Sequence, residues 1–237
     1  MTGKIPYESK IPNLEKLMDT IILAGEKIRE IYETDFEVKK KEDDSPITKA
    51  DLESNKILRA TLEKTGIPIL SEESDDDKTR LESEKVWIVD PLDGTKEFIK
   101  KNDEFTVNIA LMENNQPVFG VVYAPALYRL YWGSHDRGSF KSINGDAHIP
   151  IFVKSKLSNP VQIAVSRSHP SLRMNSFISQ FTAYDLHPMG SSLKICLVSD
   201  GRVHFYPRLG PTMEWDTAAS HAIIRGSGGE LIKVGTN

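Results

Sequence analysis

Asp90-Pro91-Leu92-Asp93-Gly94-Thr95 sets two carboxylates and a hydroxyl within six residues, directly after the apolar run Val86 to Val89. In an uninterrupted strand, residues three apart face opposite sides. Proline cannot donate to a strand ladder and glycine turns freely, so Pro91 and Gly94 are expected to stop the strand and let both carboxylates converge beyond its C-terminal edge. That edge is where open α/β sheets hold their ligands. A helix opening at Thr95-Lys96-Glu97-Phe98 would leave backbone amides for an anion. Two carboxylates, a hydroxyl and such amides suit a hard cation together with a phosphate. The same string serves equally well as an Asx turn that caps a short helix.

Three further carboxylate sites fall at the ends of expected elements. Glu72-Glu73 follows the apolar run Ile67 to Leu70, Asp216 stands near the start of a helix as its natural cap, and Asp51 lies in the first turn of another. Taken singly, these are an acidic loop and two helix caps. Taken together, they bring like charges to one place, where they repel and shift each other's pKa unless a cation neutralises them.

The elements that would position these groups follow from periodicity. Leu14, Leu17, Ile21, Ala24, Ile28 and Ile31 recur at steps of three and four, one apolar face of a helix beginning near Pro12 or Asn13. Thr48 is placed to cap a second helix that buries Leu58 and Leu62. Lys39 to Pro46 reads as a loop or edge segment. Ile67 to Leu70 and Val86 to Val89 read as strands buried on two faces. The runs Val107 to Leu111, Val118 to Tyr123 and Tyr128 to Trp132, with a turn at Glu113 to Gln116, read as an antiparallel meander. Farther on, strands are expected at Val161 to Val165, Tyr184 to His187, Val203 to Tyr206 and Glu230 to Val234. Helices are expected at Ser171 to Phe181, Ser191 to Val198 and Trp215 to Ile224. The class is α/β with mixed sheets.

Composition narrows the field. The chain has 237 residues, 39% hydrophobic and 27% charged, which excludes collagen, coiled coil and wholesale disorder. The only cysteine, Cys196, excludes an internal disulfide and points to a reducing compartment. Met1 to Lys10 is polar, without the apolar run of a signal peptide, and no stretch approaches a membrane span. Residues 1–140 hold 20 Lys/Arg and 28 Asp/Glu, a net −8, whereas residues 141–237 hold 10 and 6, a net +4. That division fits a metal-binding first half and an anion-binding second half, or simply an acidic loop and a solvated basic face. Net acidity without a Lys/Arg stripe argues against a nucleic-acid binder. Cys196 reads as core, and His135, His148, His187, His204 and His221 form no constellation.

Asp51, Glu72-Glu73, Asp90 to Thr95 and Trp215 to Ala219, in that order, resemble the magnesium-dependent, lithium-sensitive phosphatase superfamily of inositol monophosphatases. The longer string Asp90 to Ala124 is similar to its 3'(2'),5'-bisphosphate nucleotidase branch, of the bacterial CysQ type. Lys96-Glu97 stands where inositol monophosphatases usually carry Thr-Asn. Ser166 to His169, Gly190 to Lys194 and Tyr206 to Gly210 also resemble that branch.

The resemblance implies a layered α/β/α/β/α sandwich. It would be one phosphatase unit, with an N-terminal α+β half (1–150) carrying the metal and phosphate site and a C-terminal α/β half (151–237) carrying nucleotide-binding residues. It implies that Glu72, Asp90, Asp93, Asp216 and the Leu92 carbonyl ligate Mg²⁺, with Glu73 a further ligand or partner of one. It implies that Asp51 and Thr95 orient and deprotonate the attacking water and that the Gly94 and Thr95 amides hold phosphate. Ser168 and His169 would meet base or ribose, and Ser192, Lys194 and Arg208 the 5'-phosphate. The implied reaction converts adenosine 3',5'-bisphosphate to AMP and phosphate, clearing a by-product of sulfate assimilation. The implied setting is the cytoplasm, extending to a peripheral place at the inner face of the membrane, with a small nucleotide as partner and a monomer or homodimer as the assembly. Related chains continue past the position of Val234 with a further loop and strand, which leaves the closing edge of the C-terminal sheet open.

Three alternatives are carried. One is a phosphatase of the same superfamily acting on inositol phosphates or fructose 1,6-bisphosphate. Another is an aspartyl-phosphate phosphatase of the haloacid dehalogenase type, disfavoured because two residues rather than one separate Asp90 from Asp93. The last is a non-catalytic divalent-cation or nucleotide binder.

Overall fold

The structure, a computed structural model, describes residues 11, 13–41, 46–76, 78–168 and 172–233. Helix α1 (Leu14–Tyr32) buries the six periodic residues on one face. Helix α2 (Lys49–Leu62) begins at Thr48, whose hydroxyl accepts from the Ala50 N–H while the Asp51 carboxylate accepts from the Thr48 N–H. Both ends of that reciprocal cap satisfy amides that the helix itself cannot. Before α2, the segment read as loop or edge holds a short antiparallel pair, β1 (Val38–Lys40) and β2 (Pro46–Thr48).

Seven strands make the main sheet, in the order β3 (Ile69–Ser71), β4 (Lys85–Asp93), β5 (Thr106–Glu113), β6 (Gln116–Ala124), β7 (Arg129–Ser134), β8 (Gly138–Ile143) and β9 (Ile149–Ile151). Only β3 and β4 pair in parallel. The meander is present and longer than expected, since β8 and β9 extend it. Asn114 and Asn115 both hold positive φ, the backbone a tight two-residue hairpin needs.

One sheet face, with Trp87, Val89, Val107, Ile109, Val121 and Tyr123, packs on α1 and α2. The other, with Ile88, Ala110, Val122 and Tyr131, packs on α5 (Leu193–Ser199) and α6 (Glu214–Gly226). Beyond these helices lies a two-stranded parallel sheet, β10 (Val161–Ser166) and β11 (Tyr184–Met189). Ala164 of β10 joins the cluster of Ile195, Val198 and Ile224. Ile163 meets Ile178, in α4 (Leu172–Ile178), within the outermost cluster. The layers are therefore helix, sheet, helix, sheet, helix, as expected.

Several expectations are corrected. Pro91 does not stop β4, which runs on to Asp93. Val203 to Tyr206 forms no strand, only a single bridge between Phe205 and Ile163. Glu230 to Lys233 has no regular structure, and Val234 lies outside the described residues, as do Pro12 and Ser171. Among the described residues no helix is long and apolar enough to cross a membrane.

Helix α6 lies unusually close to the sheet because Gly120 of β6 has no side chain. A Cβ there would fall 2.0 Å from the Ala219 carbonyl oxygen, a backbone atom that cannot swing aside. Gly120→Ala is expected to destabilise the protein by roughly 1–3 kcal/mol or more. Thermal unfolding should register this as a Tm lower by on the order of 5 °C; an unchanged Tm would contradict the close packing.

Candidate active site

Asp90 pairs with Asn108 and Asp93 with Thr106, so β4 has one more residue than β5 between these positions. A bulge of one residue reverses the strand's alternation. Asp90 and Asp93 consequently project to the same face, and Pro91, which lacks an N–H, sits in the bulge where no ladder bond is required. Ser54 of α2 donates to the Pro91 carbonyl at 2.7 Å, which satisfies the bulge from the opposite layer. The two carboxylates thus converge because the strand is bent rather than ended.

Asp216 approaches from the other side, on α6. It is not the cap residue itself but stands in the first turn, accepting from the Met213 N–H at 3.0 Å and the Thr212 hydroxyl at 2.8 Å. Carboxylate oxygens of Asp90, Asp93 and Asp216 lie within 4.8 Å of one another. Burial pushes the Asp90 carboxyl well above its usual range, and the charges of Glu72, Asp93, Asp216 and Asp51 push it further. Burial and Asp216 push Asp93 up to about 6, against the opposing pull of Lys194 and Ser192. This all-oxygen, mutually repelling set fits a hard divalent cation, and among the described residues no histidine or cysteine joins it.

The Thr95 hydroxyl, at the start of α3 (Thr95–Ile99), donates to Asp51 Oδ1 at 3.2 Å and lies 3.4 Å from the Leu92 carbonyl oxygen. Asp51 Oδ2 is held by the Thr48 N–H and hydroxyl. Burial raises the Asp51 pKa, partly offset by these hydrogen bonds. Gly94 precedes α3 with φ 93°, a left-handed conformation that suits glycine.

Glu72 is not part of the three-carboxylate cluster. Its Oε1 accepts from Lys41 Nζ at 3.0 Å, and Lys41 bonds Glu73 as well. Burial works against the Lys41 charge, but Glu73 and Glu72 overcome it and hold its pKa above the usual lysine value. Burial likewise raises the Glu73 carboxyl. Lys41 attracted no notice in the sequence, where it is one of three consecutive lysines.

The residues expected to meet a nucleotide are distributed unevenly. Ser192 is 3% exposed, and its N–H and hydroxyl lie 2.6 and 2.7 Å from Asp93 Oδ2. Asn108 donates to that hydroxyl at 2.9 Å. Ser192 thus orients an aspartate, a role missed in the sequence because its partner lies 99 residues away. Lys194 is buried rather than solvated, with its ammonium on the Ser191 carbonyl and 5.3 Å from the centre of the Tyr206 ring. Ser168 accepts from Lys100 at 3.1 Å. Arg208 is exposed and donates to the Pro211 carbonyl. His169 lies outside the described residues.

Residues 13–237 match the inositol monophosphatase family. A 3'(2'),5'-bisphosphate nucleotidase CysQ of Salmonella typhimurium is 39% identical over 223 residues, spanning 92% of this chain and 89% of that protein. The protein so named in Buchnera aphidicola is 39% identical over 246 residues, spanning 96% and 89%. The crystal structure of CysQ from Bacteroides thetaiotaomicron, a bacterial member of the inositol monophosphatase family, matches with a TM-score of 0.80 at 39% identity over 91% of this chain and 86% of that one. An IMPase of Thermotoga maritima matches with a TM-score of 0.75 at 25% identity over 92% and 84%.

The raised Asp93 pKa makes a prediction about the protein in chelator. A carboxyl at about 6 in the fold and 3.8 unfolded binds its proton more tightly when folded. Its contribution to stability is therefore most favourable below pH ~4 and is lost as pH rises through ~6. Asp93→Asn abolishes that titration. The variant's Tm relative to wild type should accordingly climb between pH 4 and pH 7, by on the order of 5 °C; a flat or falling difference would contradict the assignment.

Proposed function

The chain belongs to the inositol monophosphatase family, and from that premise we propose that it is a Mg²⁺-dependent 3'(2'),5'-bisphosphate nucleotidase. Its reaction removes the 3'-phosphate of adenosine 3',5'-bisphosphate to give AMP and phosphate. The observation that carries this reading is the convergence of Asp90, Asp93 and Asp216 beside a Thr95 hydroxyl that leans on Asp51. Relatives spanning about nine-tenths of the chain bear the nucleotidase name, which supports the substrate class. The reading places the enzyme in the cytoplasm, acting on a small phosphorylated nucleotide.

Asp90, Asp93 and Asp216 would hold Mg²⁺, with Glu72 and the Leu92 carbonyl as further donors. The chemistry that such an ion supplies is Lewis acidity toward water and phosphoryl oxygens. The rest falls to the chain's own groups. Because the Thr95 hydroxyl donates its hydrogen bond to Asp51, its lone pairs can accept one from a water. As that water's oxygen bonds to phosphorus and the bond from phosphorus to the ribose 3'-oxygen breaks, the water proton passes through Thr95 toward Asp51, and the departing 3'-oxygen takes a proton from solvent water. Burial makes the Asp51 carboxylate more basic than usual, which favours that direction. The Gly94 and Thr95 amides would meet the phosphoryl oxygens, and no phosphoenzyme is needed. Ser168, His169, Lys194 and Arg208 would supply the nucleotide side, with Ser192 acting through Asp93.

Thr95→Ala should lower kcat on the order of 10²–10⁴-fold while the rise in Tm produced by Mg²⁺ stays near that of wild type, because the hydroxyl serves water and not the ion. Loss of the Mg²⁺ effect with kcat preserved would reverse the role.

The decisive assay is phosphate release with Mg²⁺ from adenosine 3',5'-bisphosphate, 3'-AMP, inositol 1-phosphate and fructose 1,6-bisphosphate. The bisphosphate nucleotide should be the best substrate. Lys194→Ala should reduce its kcat/KM by about one to two decades more than that of 3'-AMP, the expected value of a charge-assisted contact to the 5'-phosphate. A wild type that prefers inositol 1-phosphate, or equal losses on both nucleotides, would count against the assignment.

A further inference from the structure

Glu104 takes no part in the chemistry above, yet it joins three separate chain segments at the junction of the two sheets. It lies in the loop before β5 and is 9% exposed. Arg167, just past β10, grips it with a two-pronged fork, Nε to Oε2 and Nη2 to Oε1, both at 2.6 Å. The Gly190 N–H donates to Oε2 at 2.7 Å. Arg167 Nη2 also donates to the Pro188 carbonyl at 2.9 Å, so the ends of β10 and β11 are tied to one carboxylate. Gly190 is pressed against this anchor, for a Cβ on it would fall 2.6 Å from the Glu104 carbonyl oxygen and 2.6 Å from Glu97 Cγ.

The neighbours of these contacts give them meaning. Ser168 follows Arg167 directly. Two residues beyond Gly190, Ser192 holds Asp93, and two beyond that stands Lys194. A single carboxylate from the first half of the chain therefore indexes both segments that would face the nucleoside. We propose that Glu104 is a positioning residue for nucleotide recognition, holding the Arg167–Ser168 and Gly190–Lys194 segments in register with the carboxylate cluster. This proposal rests on the nucleotidase reading. Its physical basis is pre-organisation, because segments already fixed by charge-assisted bonds lose less freedom when the nucleotide binds. The cluster end of the second segment is held separately by Ser192 on Asp93, so loosening Glu104 acts on recognition more than on hydrolysis.

Glu104→Gln keeps the shape of the side chain but turns an amide toward the Arg167 fork. The experiment compares adenosine 3',5'-bisphosphate with glycerol 2-phosphate, a phosphomonoester that has no nucleoside. For the bisphosphate, KM should rise about tenfold or more while kcat stays within about threefold, the loss expected of a charge-assisted contact that acts on binding. For glycerol 2-phosphate, kcat/KM should stay within about twofold of wild type, and the Tm rise produced by Mg²⁺ should persist. Arg167→Gln, at a half-exposed side chain, should give a smaller change in the same direction and decides the matter if Glu104→Gln does not fold. An unchanged KM for the bisphosphate, or equal losses on both esters, would overturn the role of Glu104. A wild type that hydrolyses glycerol 2-phosphate but ignores the bisphosphate would instead overturn the nucleotidase reading, and this proposal with it.

Discussion

The repulsion among carboxylates gathered at one end of the main sheet is the constraint on which the rest of the structure turns. Asp90 and Asp93 reach a common face only because β4 carries one extra residue there, and Asp216 is brought in by a helix from the adjacent layer. Such an arrangement would scatter if the side chains were free. Each is instead held by donors that cannot move far. The Leu92 N–H holds Asp90, the Ser192 N–H and hydroxyl hold Asp93, and the Met213 N–H and Thr212 hydroxyl hold Asp216. Hydrogen bonds to the charged form favour it, so the site keeps its shape against its own field. Glu72 adds its charge to the same field while pairing with Lys41.

The layers exist to maintain these few distances. The face toward α1 and α2 is filled by large groups, Trp87, Phe119 and Trp132 among them. The face toward α6 is lined at the contact by Ala218, Ala219 and Gly120, which lets the helix backbone come almost to the sheet. That thin contact puts Asp216 within reach of Asp90. The close approach at Gly120 is local, since Ile88, Val122 and Tyr131 fill the same face beside it.

What could be read in the sequence was whatever local rules determine. The spacing of Leu14 to Ile31 sufficed for α1, Thr48 with Asp51 for the start of α2, and Asn114-Asn115 lies at the turn expected between Glu113 and Gln116. The carboxylate cluster was legible because its members follow buried runs or open helices, so their positions along the chain imply a shared edge. The larger failures are non-local. Val203 to Tyr206 has strand composition but pairs with β10 through a single bridge, closed by the His204 N–H on the Gln162 carbonyl and the Ala164 N–H on the Phe205 carbonyl, and β8 and β9 are strands because the meander offers them an edge. Ser192 was assigned to a phosphate because it neighbours Lys194; its bond to Asp93 spans the two halves of the chain and leaves no mark in either segment. Lys41 and Glu104 were invisible for the same reason.

The division of charge along the chain also takes on a different meaning. An acidic first half and a basic second half suggested a metal site facing an anion site. In the fold, Arg167 is forked onto Glu104, and buried Lys194 is held in the field of Asp93 and Glu97, which opposes the lowering of its pKa by burial. These basic groups of the second half thus serve first to fasten it to the acidic first half. Burial costs such charges their hydration and makes each dependent on its partner. The segments that carry them are thereby fixed relative to the carboxylates.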